Sequence, residues 1–174
     1  MNIKKMPRPQ SITILGIDPG TAIVGYAVIK EEGRNVTLVE ADAIQPDTKI
    51  ASERLKIIYS SIIALIDIHR PDVISLEKIF FSKNIKTAIQ VAEARGVLLL
   101  TAAQKSINFF EYTPLEVKNA VTGYGKADKH QVQTMICRIL KVSSIPKLDD
   151  VTDAMAVAFT ALQDAHAYIG KLHT

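Results

Sequence analysis

The chain contains little cysteine, no tryptophan and no long apolar run. Cys137 is the only cysteine among 174 residues, which excludes a disulfide within the chain and argues against a zinc site built on thiolates. It lies in an apolar stretch, Met135–Leu140, where we expect a buried structural thiol. No apolar stretch approaches the roughly 20 residues that cross a bilayer. The first apolar run stops at Asp18, too early for a signal peptide, so we expect a cytoplasmic protein with no membrane attachment.

The composition is that of an ordinary folded domain. The chain is 48% hydrophobic and 22% charged, so it can bury a full core. Its length fits one domain, which we place at residues 12–168, with loose tails at 1–11 and 169–174. The net charge of +3 is compatible with a nucleic-acid partner but does not by itself indicate one.

The pattern of apolar residues predicts an α/β fold. Three strands come first, a helix and a strand follow, and a long helix precedes a short fifth strand and three further helices. The predicted strands cover residues 13–18, 24–29, 36–44, 73–76 and 109–112, and the predicted helices cover 51–69, 86–105, 114–121, 126–140 and 149–166. A meander followed by alternating strands and helices indicates a five-stranded mixed sheet flanked by helices.

The predicted helix at 86–105 is apolar nearly all round. Such a helix must be covered on both sides. In a domain of this size, the sheet can cover one side and a second subunit the other.

Two acidic residues end predicted core strands. Asp18 follows the apolar run Ile14–Ile17, and Glu77 follows Val73–Leu76. Asp18 could simply open an Asp-Pro-Gly turn. If the two strands are parallel neighbours, however, they lie about 4.8 Å apart, and both carboxylates could reach one ion.

Asp150 and Asp153 lie one helical turn apart at the start of the last predicted helix. Acids at a helix N-terminus are also favoured by capping and by the helix dipole, so this pair has a purely structural alternative. Asp149 adds a second alternative, because it also shares a face with Asp153. The following run, Ala154–Ala158, would let the helix pack closely on the sheet.

Four carboxylates meeting at one sheet edge would need a compensating cation. Hard oxygen ligands favour Mg²⁺, Mn²⁺ or Ca²⁺. Two such ions about 4 Å apart can clamp a phosphodiester, with no need for histidine or a nucleophilic serine.

Six ordered motifs resemble the RuvC family, bacterial Holliday junction resolvases with the ribonuclease H-like fold. The similarity spans roughly residues 14–162, without a large gap. The motifs are Ile14-Leu15-Gly16-Ile17-Asp18-Pro19-Gly20, Leu76-Glu77-Lys78-Ile79-Phe80, Ala92-Glu93-Ala94-Arg95-Gly96, Tyr112-Thr113-Pro114, Gly123-Tyr124-Gly125-Lys126-Ala127-Asp128-Lys129 and Asp150-Val151-Thr152-Asp153-Ala154.

The resemblance implies roles for individual residues. Asp18, Glu77, Asp150 and Asp153 occupy the positions of the family's catalytic, metal-binding tetrad, and Asp150 is favoured over Asp149. The implied cofactor is Mg²⁺, with two ions per site and Mn²⁺ as a substitute.

The resemblance also implies DNA contacts. Phe80 falls at an aromatic position that interacts with junction bases, although such a residue is commonly part of a core. Lys118 and Lys129 fall at basic positions near the scissile phosphate, and Lys126 is a further candidate. Lysines of this kind also occur on ordinary solvated helix faces.

The implied activity is resolution of four-way DNA junctions by paired symmetric nicks, in recombination and repair. The implied partners are a second copy of the chain and a branch-migration motor complex. The alternatives are a ribonuclease H-like nuclease acting on RNA or other branched DNA, a non-catalytic junction-binding dimer, and a phosphotransferase or ATPase whose first phosphate loop resembles Asp18-Pro19-Gly20-Thr21.

Overall fold

The computed structural model of the chain describes residues 11–20, 22–78 and 85–172. Its first three strands form the expected antiparallel meander, with β1 pairing β2 and β2 pairing β3. They are β1 (Ser11–Pro19), β2 (Val24–Glu32) and β3 (Asn35–Ile44). Six of the nine residues are buried in each of β1 and β2, including every residue from Ile14 to Ile17 and from Val24 to Ile29, as expected for strands covered on both faces.

Two further strands extend the sheet on the other side of β1. β4 (Val73–Glu77) pairs with β1 and β5 (Asn108–Tyr112) pairs with β4, both in parallel. Helices α1 (Ala51–His69) and α2 (Ile85–Gln104) make the two crossovers. The sheet order is β3-β2-β1-β4-β5, which confirms the predicted five-stranded mixed sheet.

Four helices follow β5, and the main departures from the prediction are a later start of α4, a break at Ala161 and a last helix that ends at Leu172 and not at residue 166. They are α3 (Pro114–Thr122), α4 (Lys129–Ile139), α5 (Asp149–Thr160) and α6 (Leu162–Leu172). α4 begins three residues later than predicted, because Asp128 caps it and exchanges hydrogen bonds with Gln131. The single helix predicted at 149–166 is broken at Ala161, whose N–H is shared between the carbonyls of Val157 and Ala158 in a tightened turn.

The helices cover both faces of the sheet and create two cores. One core packs α1 and α2 against side chains such as Leu15, Ile17 and Leu76. The other packs α3, α4, α5 and α6 against alternating side chains such as Ile12 and Ile14. Within the described residues, none of the helices is long and apolar enough to cross a membrane.

Helix α5 lies unusually close to β1 and β2 because two glycines leave room for it. A Cβ added at Gly16 would collide with the carbonyl oxygen of Ala154, and one added at Gly25 would collide with the carbonyl oxygen of Asp150. The predicted close approach of the alanine-rich run is therefore confirmed, with backbone rather than side chains in contact. This contact sets the position of the first turn of α5 relative to the sheet.

We expect Gly16→Ala to lower the free energy of unfolding by at least about 2 kcal/mol, because the colliding atoms belong to backbone that cannot rotate away. Urea unfolding followed by circular dichroism measures the loss. Ala64→Ser is the matched control, since it also adds one heavy atom but on the exposed side of α1. Equal stability of the Gly16→Ala and Ala64→Ser proteins would contradict the close helix–sheet contact.

Candidate active site

The first two acids of the site lie at the ends of neighbouring parallel strands. Ile17 of β1 pairs with Leu76 of β4, and Asp18 and Glu77 are the next residues along each strand. Both carboxylates therefore stand at one edge of the sheet, as predicted. Glu77 also lines a cavity of about 170 Å³ together with Lys118, Lys129 and Asp153.

The first turn of α5 brings two more acids to this edge. Asp153 acts electrostatically on both Asp18 and Glu77, and Asp150 acts on Asp18. Asp150 also faces the segment that follows β1, because a Cβ added at Gly20 would lie 3.3 Å from its Oδ1. The structure thus brings together the four acids that the sequence singled out.

Burial and mutual repulsion make ionisation of Asp18, Glu77 and Asp153 unfavourable. Burial, followed by the charges of Asp153, Glu77 and Asp150, raises the pKa of Asp18 to about 7, against the opposing effect of Lys129. Burial and then Asp153 raise the pKa of Glu77, and burial is the main cause of the raised pKa of Asp153. The carboxylates at this edge of the sheet therefore carry more negative charge than the cationic side chains of the protein neutralise.

Lys129 is the cation that contacts this cluster. Its Nζ lies 3.1 Å from the carboxylate of Asp149 and 3.1 Å from that of Asp153. Hydrogen bonds to these acids outweigh the effect of desolvation and raise the pKa of Lys129. The ammonium therefore stays charged beside the acids at neutral pH.

Asp149 faces a different set of groups from Asp150. Hydrogen bonds from Lys129 and then from Gln133 lower the pKa of Asp149, and the Gln133 Nε2 donates to Asp149 Oδ1 at 2.9 Å. Both acids raise the pKa of Asp153, but Asp150 is the one that also raises the pKa of Asp18. Adjacent helical residues point about 100° apart, and here Asp150 faces the acid cluster while Asp149 faces α4.

The predicted DNA-contacting residues are placed unequally. Lys118 and Lys129 both line the cavity beside Glu77. Lys126 lies in the exposed segment between α3 and α4 and lines no part of that cavity. Phe80 lies outside the described residues.

The carboxylate oxygens and the net negative charge at this edge of the sheet suit a hard divalent cation. In the described ranges, no three His, Cys, Asp or Glu side chains are arranged to hold one ion together. The carboxylate of Asp153 is paired with Lys129 in this arrangement.

Two kinds of residue at the site were missed by sequence reasoning. Gln133 is buried and lies one turn after Lys129, and this spacing was the available signal. Gly25 lacks the side chain that would collide with the backbone of Asp150. Its position opposite Asp18 follows from the register of β1 and β2, which the sequence alone does not give.

The chain is similar to known proteins in both sequence and fold. The family model described as crossover junction endodeoxyribonuclease RuvC matches residues 14–161. A protein of that name from Halothermothrix orenii is 48% identical over 148 residues, covering 84% of this chain and 90% of the relative. The structure of Thermus thermophilus RuvC superimposes with a TM-score of 0.81 at 28% identity, covering 91% and 97% of the two chains. T. thermophilus RuvC in complex with a Holliday junction substrate gives a TM-score of 0.80 at 26% identity, with the same coverage.

The five-stranded sheet of this order, with helices on both faces, is the ribonuclease H-like fold, and the family match assigns the chain to the nucleases of that fold. The chain belongs to the RuvC family of crossover junction endodeoxyribonucleases. The fold and the family predicted from the sequence are thereby confirmed.

The raised pKa of Asp18 makes stability depend on pH. Its folded-state pKa of about 7 exceeds the ordinary value of 3.8, so the folded chain holds this proton more tightly than the unfolded chain does. The cost of ionising Asp18 in the fold therefore grows as pH rises from about 4 to 7 and is constant above that.

Without divalent cations, Asp18→Asn should stabilise the protein by about 2 kcal/mol or more at pH 8 and by progressively less toward pH 5. Urea unfolding over this pH range in the presence of a chelator measures the difference. Glu32→Gln removes a carboxylate at the opposite end of the sheet and should show no such trend. A difference independent of pH would show that the pKa of Asp18 is not raised in the folded protein.

Proposed function

We propose that the protein resolves four-way DNA junctions by paired, symmetric, metal-dependent nicks during recombination and repair. Membership of the RuvC family supports the endonuclease activity, and the T. thermophilus relative solved with a Holliday junction substrate supports the choice of DNA. The observation that carries the proposal is the convergence of Asp18, Glu77, Asp150 and Asp153 at one sheet edge.

These four residues are the proposed ligands of two Mg²⁺ ions, with Mn²⁺ as a substitute. Divalent ions bound there supply an activated water and stabilise the leaving oxygen of a phosphodiester. Their charge would also relieve the repulsion that raises the pKa of Asp18. Asp149 is left out of the ligand set because it faces Lys129 and Gln133.

The lysines beside the acids are proposed to bind the phosphate backbone. Lys118 and Lys129 line the cavity that contains Glu77 and Asp153, so a phosphate held there would lie between ammonium groups and carboxylates. Lys126, which is exposed between α3 and α4, is proposed as a further phosphate contact. Neutralising phosphates in this way makes binding weaker at high salt. Phe80 keeps its proposed role of stacking on junction bases, which rests on the resemblance alone.

A homodimer is proposed to place two such sites on one junction. α2 exposes an apolar stripe at spacings of three and four residues, made up of Ile89, Ala92, Gly96, Leu100 and Ala103. A second copy of this helix would cover the stripe, and a two-fold axis would relate the two sites. The proposal includes a branch-migration motor as partner and a cytoplasmic location, both of which rest on the family resemblance.

With Mg²⁺, the purified protein should cut a synthetic four-way junction into two nicked duplexes and leave linear duplex intact. Asp18→Asn should keep junction binding in a gel-shift assay but slow cutting by at least about a hundredfold, because it removes a charged ligand. Glu32→Gln is the control for loss of one carboxylate. Cutting by Asp18→Asn at the wild-type rate would refute the assignment of the acids.

Other outcomes of this assay favour the alternatives. Tight junction binding without cutting by wild type, in either Mg²⁺ or Mn²⁺, would favour a non-catalytic binding dimer. Faster cutting of RNA or of other branched DNA would favour a different ribonuclease H-like nuclease.

Leu100→Glu should convert the dimer to monomer at micromolar concentration, since it buries a charge in the centre of the α2 stripe. Light scattering measures the mass, and a cruciform plasmid assay reports whether the two nicks remain coupled. Ile68→Glu is the matched control, because Ile68 is equally apolar and 71% exposed but lies on α1. A wild-type protein that is already monomeric would contradict the paired-nick mechanism.

A further inference from the structure

Asp149 makes a specific set of contacts that the proposed ion site does not use. It accepts hydrogen bonds from Lys129 Nζ at 3.1 Å through Oδ2 and from Gln133 Nε2 at 2.9 Å through Oδ1. Both donors come from α4, on residues one turn apart on the same helix face. Asp149 therefore ties the beginning of α4 to the beginning of α5.

The favourable interaction of an acid with a helix N-terminus does not by itself account for these contacts. An acid in the first turn of α5 is favoured by the helix dipole wherever its side chain points. That preference requires no partner on α4. Gln133, however, is only 8% exposed, and burying an amide is costly unless it is hydrogen-bonded. Its bond to Asp149 meets that requirement and fixes which way the carboxylate faces.

Lys129 would lose its orientation without Asp149. Its ammonium lies at equal distances from Asp149 and Asp153, and the Asp149 side chain is the more exposed of the two acids, at 61% against 27%. If Asp153 binds an ion, Asp149 is the acceptor that remains available to hold Lys129 at the rim of the cavity. The capped start of α4 at Asp128 holds the backbone of Lys129, so the side chain is the part that needs a restraint.

We propose that Asp149 is a positioning residue that acts through Lys129. Its carboxylate, oriented by the hydrogen bond from Gln133, holds the Lys129 ammonium beside the place where a scissile phosphate would bind. This inference rests on the proposed function, because it assigns Lys129 to the phosphate and Asp153 to the ion. The two neighbouring acids then have different roles. Asp150 binds the ion, and Asp149 orients Lys129.

Single-turnover cutting of a four-way junction tests whether Asp149 acts through Lys129. Asp149→Asn keeps the shape of the side chain and should slow cutting by about tenfold at saturating Mg²⁺ and junction. In a Lys129→Met background, Asp149→Asn should change the cutting rate by less than about twofold, because the ammonium that Asp149 positions is absent. Gln133→Met should cause a smaller loss than Asp149→Asn, and Glu32→Gln should cause none.

Mn²⁺ binding measured by calorimetry, without DNA, gives a readout that does not depend on cutting. Asp149→Asn should bind Mn²⁺ within about twofold of wild type, whereas Asp150→Asn should bind it at least about tenfold more weakly. If wild type fails to cut junctions, the proposed function falls, and the comparison of these two variants still decides whether Asp149 serves the ion.

Three results would overturn the inference. The first is loss of Mn²⁺ binding in Asp149→Asn to the same extent as in Asp150→Asn, which would make Asp149 a ligand. The second is an equal loss of cutting rate from Asp149→Asn with and without Lys129. The third is a wild-type cutting rate in Asp149→Asn.

Discussion

The backbone contact between α5 and the first two strands determines the rest of the site. The carbonyls of Ala154 and Asp150 occupy the space that side chains at positions 16 and 25 would fill. Because this contact is between backbones, it leaves α5 little freedom to slide or rotate. The first turn of the helix is thereby held at the edge where β1 and β4 end, and the acids on that turn approach Asp18 and Glu77.

The same geometry makes the site electrostatically unfavourable in the protein alone. Placing four carboxylates around one edge costs free energy, and the raised pKa of Asp18 reflects that cost. The cores on both faces of the sheet offset this cost, since they bury the central residues of β1, β2 and β4. The protein thus combines a stable scaffold with an edge that becomes more favourable when positive charge binds.

Much of this arrangement could be predicted from the sequence. Apolar runs ending in Asp18 and Glu77 located the edge, and α1 was predicted to its exact limits because its apolar spacing is regular. The choice between Asp149 and Asp150 was harder, because both share a face with Asp153 and spacing alone treats them alike. Gln133 on α4 distinguishes them, because it donates a hydrogen bond to Asp149. That contact depends on how α4 packs against α5, which residue spacing does not reveal. The break at Ala161 was missed for a similar reason, since no Gly or Pro marks it.

The parallel pairing of β1 with β4 has a consequence for when the protein can act. The residues that meet at the edge come from positions 18, 77, 150 and 153, so every pairing between β1, β4 and α5 joins distant parts of the chain. Such non-local contacts carry a large loop-closure cost and slow folding. A chain still emerging from the ribosome lacks α5 until most of its length has been made, and it therefore holds only two of the four acids. Incomplete synthesis therefore yields a fragment that has the strands but lacks the assembled cluster of four acids.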